Sequence, residues 1–421
     1  MTVRKLAKAG LFAAALGFSV LPGCVTDETA GPPDNEITNL DGDAPLSDHD
    51  SLYEGWPSNK NLASEGQADA NYPLKFSELV ALQSPVRSQQ SRGMCSIFSA
   101  VGLMEHLYVK EGIIAQPDFS EEFLQWSVKT ELGRFANIES SNSNYDLQTI
   151  NRFGIVTESD WPYLGRRWGP ADDEACEGDD MPTRCYTHGT PPETAMQAQR
   201  WHLPRGRWVN SSPNSIKAHM VSKKEAVIVG GTFYYQSWNH RSSELTTNNS
   251  YWRKGYVTYP NAQDKTKSLE KRAGHSFVVV GWDDELEVQK RDGDGTLLTD
   301  GNGNPVTEKG FWLFKNSWGE NSFGVEHEAG PGYGWISMQY VQEFLIAYVS
   351  GVPRVNLAEV CGNNKDDDFD GDVDCDDSDC SGDPACSGGS RIFTNDTSAS
   401  IPDNDASRGL GFSFSGAALS T

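Results

Sequence analysis

The chain contains Trp312-Leu313-Phe314-Lys315-Asn316-Ser317-Trp318-Gly319, eight residues that decide the fold prediction. The mostly apolar first half of this stretch favours a buried β-strand. The amide carbonyl of Asn316, placed directly after such a strand, is suited to accept a hydrogen bond from an imidazole and to fix its tautomer. Trp318 would shield that hydrogen bond from water. Asn316 is therefore a candidate partner for an imidazole supplied elsewhere in the chain.

The best histidine candidate is His275, in Gly274-His275-Ser276 followed by the apolar run Phe277-Val278-Val279-Val280. A histidine at the start of a strand is, taken alone, more often structural than catalytic. The chain has eight histidines, and only this one lies in the context of the family resemblance described below. His106 is on the predicted helix that begins at Cys95, about three turns from that residue, which is too far for it to act as the base.

The third element is Gln89-Gln90-Ser91-Arg92-Gly93-Met94-Cys95-Ser96-Ile97-Phe98-Ser99. A loop here leads into a helix that starts at or just after Cys95. A thiol at a helix N-terminus has a lowered pKa because the helix dipole and free N–H groups favour the thiolate, which is the attacking species. A buried structural cysteine is the alternative for Cys95 alone.

These three elements, in the order Cys, His, Asn, resemble the papain family of cysteine proteases over roughly residues 75–348. The resemblance implies Cys95 as nucleophile, His275 as base, Asn316 as the residue that orients the base, and Gln89 as the side-chain donor of the oxyanion hole. It also implies an α+β fold with two subdomains, a helical half with the nucleophile and a β-barrel-like half with His275 and Asn316. Catalysis would need no cofactor.

The same resemblance suggests substrate-binding residues and reveals departures. Asn144 and Tyr145 align with a substrate-binding loop, and Trp318 would also line the cleft. Arg92 replaces a cysteine that normally makes a disulfide, and Ser96 replaces the aromatic residue that usually follows the nucleophile. Neither departure removes a catalytic group.

Charge and the N-terminal sequence limit the partners and location of the chain. The net charge of -24 over 421 residues argues against a nucleic-acid partner. Residues 1–24 have a basic start and an apolar stretch too short to span a bilayer comfortably, as in a secretory signal. They end in Leu21-Pro22-Gly23-Cys24, which resembles a bacterial lipobox, so Cys24 is the predicted lipidation site and membrane anchor. Plain secretion is the alternative.

The eight cysteines are consistent with an exported protein. Removing Cys24 and Cys95 leaves an even number, which favours disulfides. We expect Cys176 to pair with Cys185. The remaining four would stabilise a small tail unit with unknown connectivity: Cys361, Cys375, Cys380 and Cys386.

The tail unit, residues 361–386, is rich in aspartate. Its carboxylates follow the spacing of a calcium-binding loop, with Gly371 at the sharp turn, and the unit resembles thrombospondin type 3-like and myxobacterial Asp/Cys-rich repeats. A solvated acidic linker is the alternative reading. The predicted ligands are Asp366, Asp368, Asp370, Asp374 and Asp377.

The remaining pattern divides the chain. Residues 25–71 are polar and acidic, which indicates a disordered tether, and residues 387–421 a disordered tail. The peptidase domain is expected over residues 72–352, with helices at 95–112, 119–128 and 146–153 and strands at 226–233, 276–282, 310–315 and 333–338. Residues 283–309 are expected to form a hairpin extension, with a second possible calcium site.

Two functions from different classes remain open at this point. The first is an exported peptidase that cuts peptide or protein substrates through a thioester acyl-enzyme. The second is a catalytically inactive surface protein that keeps the cleft to bind peptides. The complete set of Gln89, Cys95, His275 and Asn316 favours the peptidase, and the asparagine argues against a transglutaminase-like transferase, which normally uses aspartate there.

Overall fold

A computed structural model describes residues 44–67, 70–178, 181–353, 361–362 and 374–387. All of these residues belong to one compact unit, Leu40–Thr421. Among them, no helix combines the length and apolar character needed to cross a membrane. The predicted signal peptide with Cys24, and the tail after residue 387, lie outside the described residues.

Helices dominate the first half of the described chain. Three of them carry the helical subdomain, and the predictions for these three are confirmed to within a few residues. The helices are α1 (His49–Tyr53), α2 (Cys95–Lys110), α3 (Glu121–Thr130), α4 (Ser143–Phe153), α5 (Glu193–Met196), α6 (Pro213–Lys223), α7 (Asn249–Lys254), α8 (Ala262–Glu270), α9 (Met338–Phe344) and α10 (Pro384–Ser387).

The strands form one mixed sheet of eight, in the order β2-β8-β3-β5-β6-β7-β4, with β1 paired to β5, and all of them except β1 follow residue 206. Its four predicted strands are present, and the α+β prediction is confirmed. The strands are β1 (Lys75–Phe76), β2 (Arg207–Val209), β3 (Val227–Thr232), β4 (Tyr256–Val257), β5 (Gly274–Gln289), β6 (Thr307–Lys315), β7 (Tyr333–Ser337) and β8 (Leu345–Val349).

The long helix α2 is the central element of the helical half. Its residues from Cys95 to Tyr108 are all buried, Glu105 and His106 included, so the helix is enclosed on all sides rather than along one stripe. It packs on β5, where a Cβ added to Gly102 would lie 3.6 Å from a Val278 methyl group. This contact joins the helical half to the sheet and places the helix start beside the β5 start.

The predicted hairpin extension at residues 283–309 is present. β5 and β6 continue as an antiparallel pair as far as Gln289 and Thr307. Two turns follow, in which the carboxylates of Asp292 and Asp300 accept backbone N–H groups of residues two and four positions later. These carboxylates are therefore used to build the turns.

The prediction of a disordered tether is wrong for residues 44–67. This part, here called the covering segment, forms α1 and packs against both halves of the domain. Ser47 makes an antiparallel bridge with Gly274, and the side chain of Asp48 caps α1 at Ser51 N. Polar composition suggested disorder, but Leu52 is buried, at 2% exposure, and supplies the apolar anchor.

The disulfide prediction is confirmed for the six cysteines concerned. Cys176 pairs with Cys185 in a loop-rich region. The tail pairs, which the sequence left open, are Cys361–Cys380 and Cys375–Cys386.

Candidate active site

Cys95 lies at the first turn of α2 and is fully buried. It is the free cysteine among the described residues. The backbone approaches closely here, because a Cβ added to Gly93 would lie 2.8 Å from the carbonyl oxygen of Leu46. A glycine before the nucleophile is therefore needed to accommodate the covering segment.

His275 and Asn316 meet where β5 begins and β6 ends. His275 Nε2 lies 2.8 Å from Asn316 Oδ1, so the imidazole Nε2–H donates to the amide carbonyl. The ring of Trp318 stacks on the imidazole, with centroids 4.3 Å apart, and is itself 2% exposed. The hydrogen bond is thus excluded from water, and Nδ1 is left as the nitrogen available for proton transfer.

Gln89 is held rigidly on the loop before α2. Its Oε1 accepts from Ser317 Oγ at 2.7 Å, and its backbone N–H donates to Ser317 O at 2.9 Å. Its Nε2 donates to Arg92 O at 2.7 Å and more weakly to Pro45 O at 3.4 Å. The amide donor predicted for the oxyanion hole therefore faces the covering segment, which places a carbonyl oxygen before it.

Arg92, which departs from the family pattern, belongs to the same loop, and its side chain is a buried cation. Its guanidinium donates to Glu139 and Glu122 at 2.7 Å each, and to the carbonyl oxygens of Leu164 and Tyr186 at 3.1 and 2.6 Å. Burial lowers the pKa of Arg92, but the two carboxylates outweigh burial and raise it above its ordinary value. Arg92 joins the nucleophile loop to α3 and, through Tyr186, to the chain just after Cys185.

Ser47 of the covering segment contacts the nucleophile. Its N–H donates to Gly274 O, and its carbonyl accepts from Gly274 N–H, both at 2.9 Å. Its Oγ lies 2.8 Å from Gly93 O and 2.9 Å from Cys95 Sγ. The segment therefore occupies the space in front of the thiol.

These two contacts of Ser47 Oγ indicate the protonation state of Cys95. A hydroxyl has one proton, and the Gly93 carbonyl is only an acceptor, so the Ser47 proton points to Gly93. The Cys95 S–H is then the donor to Ser47 Oγ, and the nucleophile is a neutral thiol.

The electrostatics of the covered site agree with this assignment. Burial raises the pKa of Cys95 to about 11, and burial lowers the pKa of His275 to about 3. His275 Nδ1 is buried and has no hydrogen-bond partner among the described residues. Both groups are neutral at pH 7 in this arrangement, which differs from the thiolate–imidazolium pair that attack on a peptide requires.

Helix α1 anchors the covering segment beside the nucleophile. Asn142 Nδ2 donates to the carbonyl oxygens of Ser51 and Glu54 at 2.8 and 3.1 Å, and Tyr53 OH donates to Phe344 O at 2.6 Å. Leu52 is inserted between the two halves of the domain. Access to Cys95 therefore requires the covering segment, which these contacts hold in place, to move.

Two of the predicted substrate-binding residues, Asn144 and Tyr145, lie beside α1, whereas Trp318 is buried against His275. Asn144 N–H is bound by the side chain of Asn142 at 3.1 Å, and Asn144 Oδ1 accepts from Tyr348 OH at 3.0 Å. A Cβ added to Gly55 would lie 3.1 Å from Tyr145 OH. Their role toward substrate stays a prediction, while Asn142 is a cleft residue that the sequence analysis did not single out.

The predicted calcium ligands are only partly described. Asp366, Asp368 and Asp370 lie outside the described residues. Asp374 Oδ1 accepts from Gly362 N at 2.5 Å, and Asp377 is buried, with one carboxylate oxygen that has no hydrogen-bond partner among the described residues. A buried carboxylate of this kind fits a cation ligand. The group Cys361, Cys380 and Cys386 is unsuited to metal binding because its sulfurs are in disulfides.

The contacts of Ser47 and Leu52 were not predicted from the sequence, and Arg92 was noted there only as a departure from the family pattern. A signal was available for α1: Asp48 has the character of an N-cap, and Leu52 and Tyr53 are apolar residues in a polar stretch. For Arg92, the signal was a charged residue at a position that the resemblance places in the interior.

Comparison with known proteins agrees with this geometry. The profile described as papain family cysteine protease matches residues 78–342, more than half of the chain. No curated protein matches the chain.

Solved structures similar to this chain are also cysteine proteases. Xylellain, a cysteine protease from Xylella fastidiosa, is 15% identical with a TM-score of 0.51, and the match covers 74% of this chain and 98% of that one. The cysteine protease and lectin-like domains of Cwp84 from Clostridium difficile are 18% identical with a TM-score of 0.46, over 75% of this chain and 62% of that one. At 15% identity the likeness to xylellain supports the fold alone.

Proposed function

Because the chain belongs to the papain family of cysteine proteases, we propose that it is an exported cysteine peptidase that hydrolyses peptide bonds with Cys95 as nucleophile. The observation that carries this proposal is the 2.8 Å hydrogen bond from His275 Nε2 to Asn316 Oδ1. It directs the base and leaves Nδ1 for the thiol. A groove kept only for peptide binding would not require this buried, water-shielded pair.

The reaction follows from the roles of these groups. His275 Nδ1 takes the proton of Cys95, and the thiolate attacks the carbonyl carbon of the substrate. Gln89 Nε2 and the Cys95 backbone N–H donate to the oxyanion. The C–N bond then breaks as the imidazolium protonates the leaving amine, which leaves a thioester. Water, deprotonated by the imidazole, attacks the thioester and releases the acid and the thiol.

The covered form is a latent state of this peptidase. Ser47 fills the position in front of Cys95, and Pro45 presents its carbonyl to Gln89. Since Ser47 uses both its backbone groups on Gly274, a single β-bridge holds the segment at the start of β5, beside His275. Displacement or cleavage of residues 44–56 would expose the thiol and let the ion pair form.

The site of action is proposed to be outside the cytoplasm. Three disulfides are typical of exported proteins, and Cys24 would carry the lipid that anchors the chain to the membrane. The Asp/Cys-rich tail would bind calcium as a surface module. Peptides or proteins at the cell surface would be the substrates.

The test is labelling with a thiol-directed epoxide together with hydrolysis of fluorogenic peptides. The proposal expects turnover that stops on labelling and is absent in Cys95→Ala. A folded protein that binds peptides but neither hydrolyses them nor takes the label, even after residues 44–56 are removed by limited proteolysis, would support the inactive binding protein instead.

A further inference from the structure

Helix α2 begins without the side-chain cap that often fixes a helix start. Its N-cap residue is Met94, and no side-chain hydrogen bond closes the first turn. A capping side chain would bind the N–H of the second or third helical residue, here Ser96 or Ile97. Burial raises the pKa of Cys95, and the Ser96 N–H is one of the donors that oppose burial by favouring the thiolate. The first turn must therefore be fixed by contacts elsewhere on the helix.

The hydroxyl of Ser96 begins a chain of buried hydrogen bonds that ends at Asp146. Ser96 Oγ lies 2.9 Å from Ser141 Oγ, and Ser141 Oγ donates to Asp146 Oδ1 at 2.6 Å. Because Ser141 gives its single hydroxyl proton to the carboxyl group, Ser96 is the donor to Ser141. All three residues are fully buried, so water does not compete for these bonds.

The chain connects the start of α2 to the start of α4. Asp146 lies in the first turn of α4, and its N–H donates to Asn142 O at 2.9 Å. Asn142 is the N-cap of α4, and its side chain accepts the N–H of Asn144 at 3.1 Å. The carboxyl group of Asp146 is therefore held on a capped helix, and through Ser141 it fixes Ser96.

Ser96 needs such an anchor because of its size. It stands where the papain family usually has an aromatic side chain, which packing alone would hold in place. A serine offers little surface for packing, so its orientation depends on the hydrogen bond that its hydroxyl makes. The polar chain thus takes the place of a ring beside the nucleophile.

The carboxyl group of Asp146 destabilises the buried site in other respects. Burial raises the pKa of Asp146 to about 7, against the lowering effects of the Ser141 and Ser96 hydroxyls and of the Lys129 charge. Its Oδ2 has no hydrogen-bond partner among the described residues, which is unfavourable for a buried polar atom. Perturbed buried groups of this kind cluster at functional sites.

The charge of Asp146 cannot be what activates the nucleophile. Burial raises the pKa of Cys95, and a negative charge on Asp146 raises it further, which disfavours the thiolate. The geometry of the chain, rather than its charge, is therefore the contribution that Asp146 makes to the site.

We propose that Asp146 is a positioning residue for hydrolysis: through Ser141 it holds Ser96, and with it the first turn of α2 that presents the Cys95 N–H to the oxyanion. This inference rests on the peptidase function proposed above. A misplacement of about 1 Å at a reacting group costs about a hundredfold in rate. Breaking the chain should therefore lower kcat by about 10- to 100-fold and leave KM nearly unchanged, because the chain does not contact the cleft.

The experiment compares hydrolysis of a fluorogenic peptide with alkylation of Cys95 by iodoacetamide in full-length variants. Alkylation forms no tetrahedral oxyanion but needs the same exposed thiol. The ratio of the two rates is therefore independent of how often the covering segment opens. Ser141→Ala, Ser96→Ala and Asp146→Ala should each lower this ratio by about 10- to 100-fold.

Two further variants test whether the three residues act as one chain. The Ser96→Ala/Ser141→Ala double variant should lower the ratio no more than either single change, since both interrupt the same connection. Asp146→Asn keeps an acceptor oxygen for Ser141 and should retain most of the ratio. The matched control is Ser127→Ala, which breaks a buried hydrogen bond from a serine hydroxyl to the carboxylate of Glu131 on α3 and should leave the ratio unchanged.

The possible failures are distinguishable. Folded Ser141→Ala and Ser96→Ala proteins with the wild-type ratio would overturn the positioning role alone. An equal fall in Ser127→Ala would also overturn it, because the effect would then be that of any lost buried hydrogen bond. If Asp146→Ala does not fold, Ser96→Ala, which removes one hydroxyl, decides. Absence of both hydrolysis and alkylation in the wild type, even after residues 44–56 are removed by limited proteolysis, would overturn the peptidase function.

Discussion

Leu52→Ala should convert the covered form into a more open one. The substitution removes most of a side chain that is 2% exposed, and truncating a buried leucine to alanine costs about 2–5 kcal/mol. We use the lower part of this range for the loss of stability of the covered form, because water fills the pocket of Leu52 when α1 leaves it. About 2.8 kcal/mol corresponds to a hundredfold change in an equilibrium constant, since each 1.4 kcal/mol is a factor of ten.

The rate of Cys95 alkylation reports this equilibrium directly. The thiol is fully buried and bound to Ser47 in the covered form, so a reagent reacts only with the open form. We expect epoxide labelling and peptide hydrolysis to rise together, up to about a hundredfold. The rise in both rates ends when all of the molecules that are covered in the wild type have become open. The matched control is Leu269→Ala, because Leu269 is 49% exposed, and it should change neither rate.

The latency account would be refuted if Leu52→Ala reacted no faster than wild type while its melting temperature stayed unchanged. Such a result would mean that α1 does not control access to the thiol. A rise in labelling without a rise in hydrolysis would instead separate access from catalysis.

Three further predictions concern the Arg92 cluster, the ion pairs of Glu65 and the Asp/Cys-rich tail. Arg92→Met should lower the free energy of unfolding by about 3–5 kcal/mol, because it removes the guanidinium that is paired with the buried carboxylate of Glu122. Arg92→Lys should recover little of this loss, since a point charge cannot replace a planar guanidinium that donates to four acceptors, and urea titration decides both. In variants that still fold, amide hydrolysis should fall more than Cys95 alkylation, because Arg92 O holds Gln89; equal losses would contradict this positioning role. The pKa of Glu65 is about 2 despite the opposing effect of burial, since hydrogen bonds from His219 and Arg207 lower it from 4.5; a lowered pKa stabilises the fold above pH 4.5 and this contribution is lost as the pH falls from 4.5 toward 2. The stability difference between wild type and Glu65→Gln should therefore shrink over that range, and a difference constant from pH 6 to pH 2.5 would count against it. Calorimetry should detect calcium binding to the full-length chain, and heats that stay at the dilution level would exclude the metal.

The catalytic residues could be predicted because their signals are local in sequence. The start of α2 follows from an apolar helix directly after a glycine-containing loop, and Asn316 follows from a buried strand that ends in Ser317-Trp318-Gly319. Each signal lies within about ten residues, so no tertiary contact had to be known. The order of the three elements then indicated the fold.

The covering segment could not be predicted in the same way, because its order comes from distant contacts. Ser47 bonds to Gly274, and Tyr53 to Phe344, across more than two hundred residues of chain. Leu52 alone gives a weak apolar signal in a polar stretch, and composition favoured disorder. The pocket that receives it is assembled from β2, β3, β5 and β8, which become neighbours only in the folded sheet.

Arg92 shows a second limit of sequence reasoning. A charged residue is rarely fully buried unless it is paired, and its carboxylate partners Glu122 and Glu139 are 30 and 47 residues away. Nothing near Arg92 in the sequence indicates them. From the sequence, Arg92 in place of the family's cysteine therefore indicated only the loss of a disulfide, whereas the structure has an ionic cluster at this position.

The central claim is that Cys95 is the nucleophile of a peptidase whose base is His275. Its most direct test is mass spectrometry of the epoxide-treated Leu52→Ala protein, with peptide hydrolysis followed in the same sample. The account predicts one covalent adduct, located on the peptide that contains Cys95, formed in step with the loss of hydrolysis and absent in Cys95→Ala. Hydrolysis that persists in Cys95→Ala, or an inactivating adduct on a different residue, would contradict it.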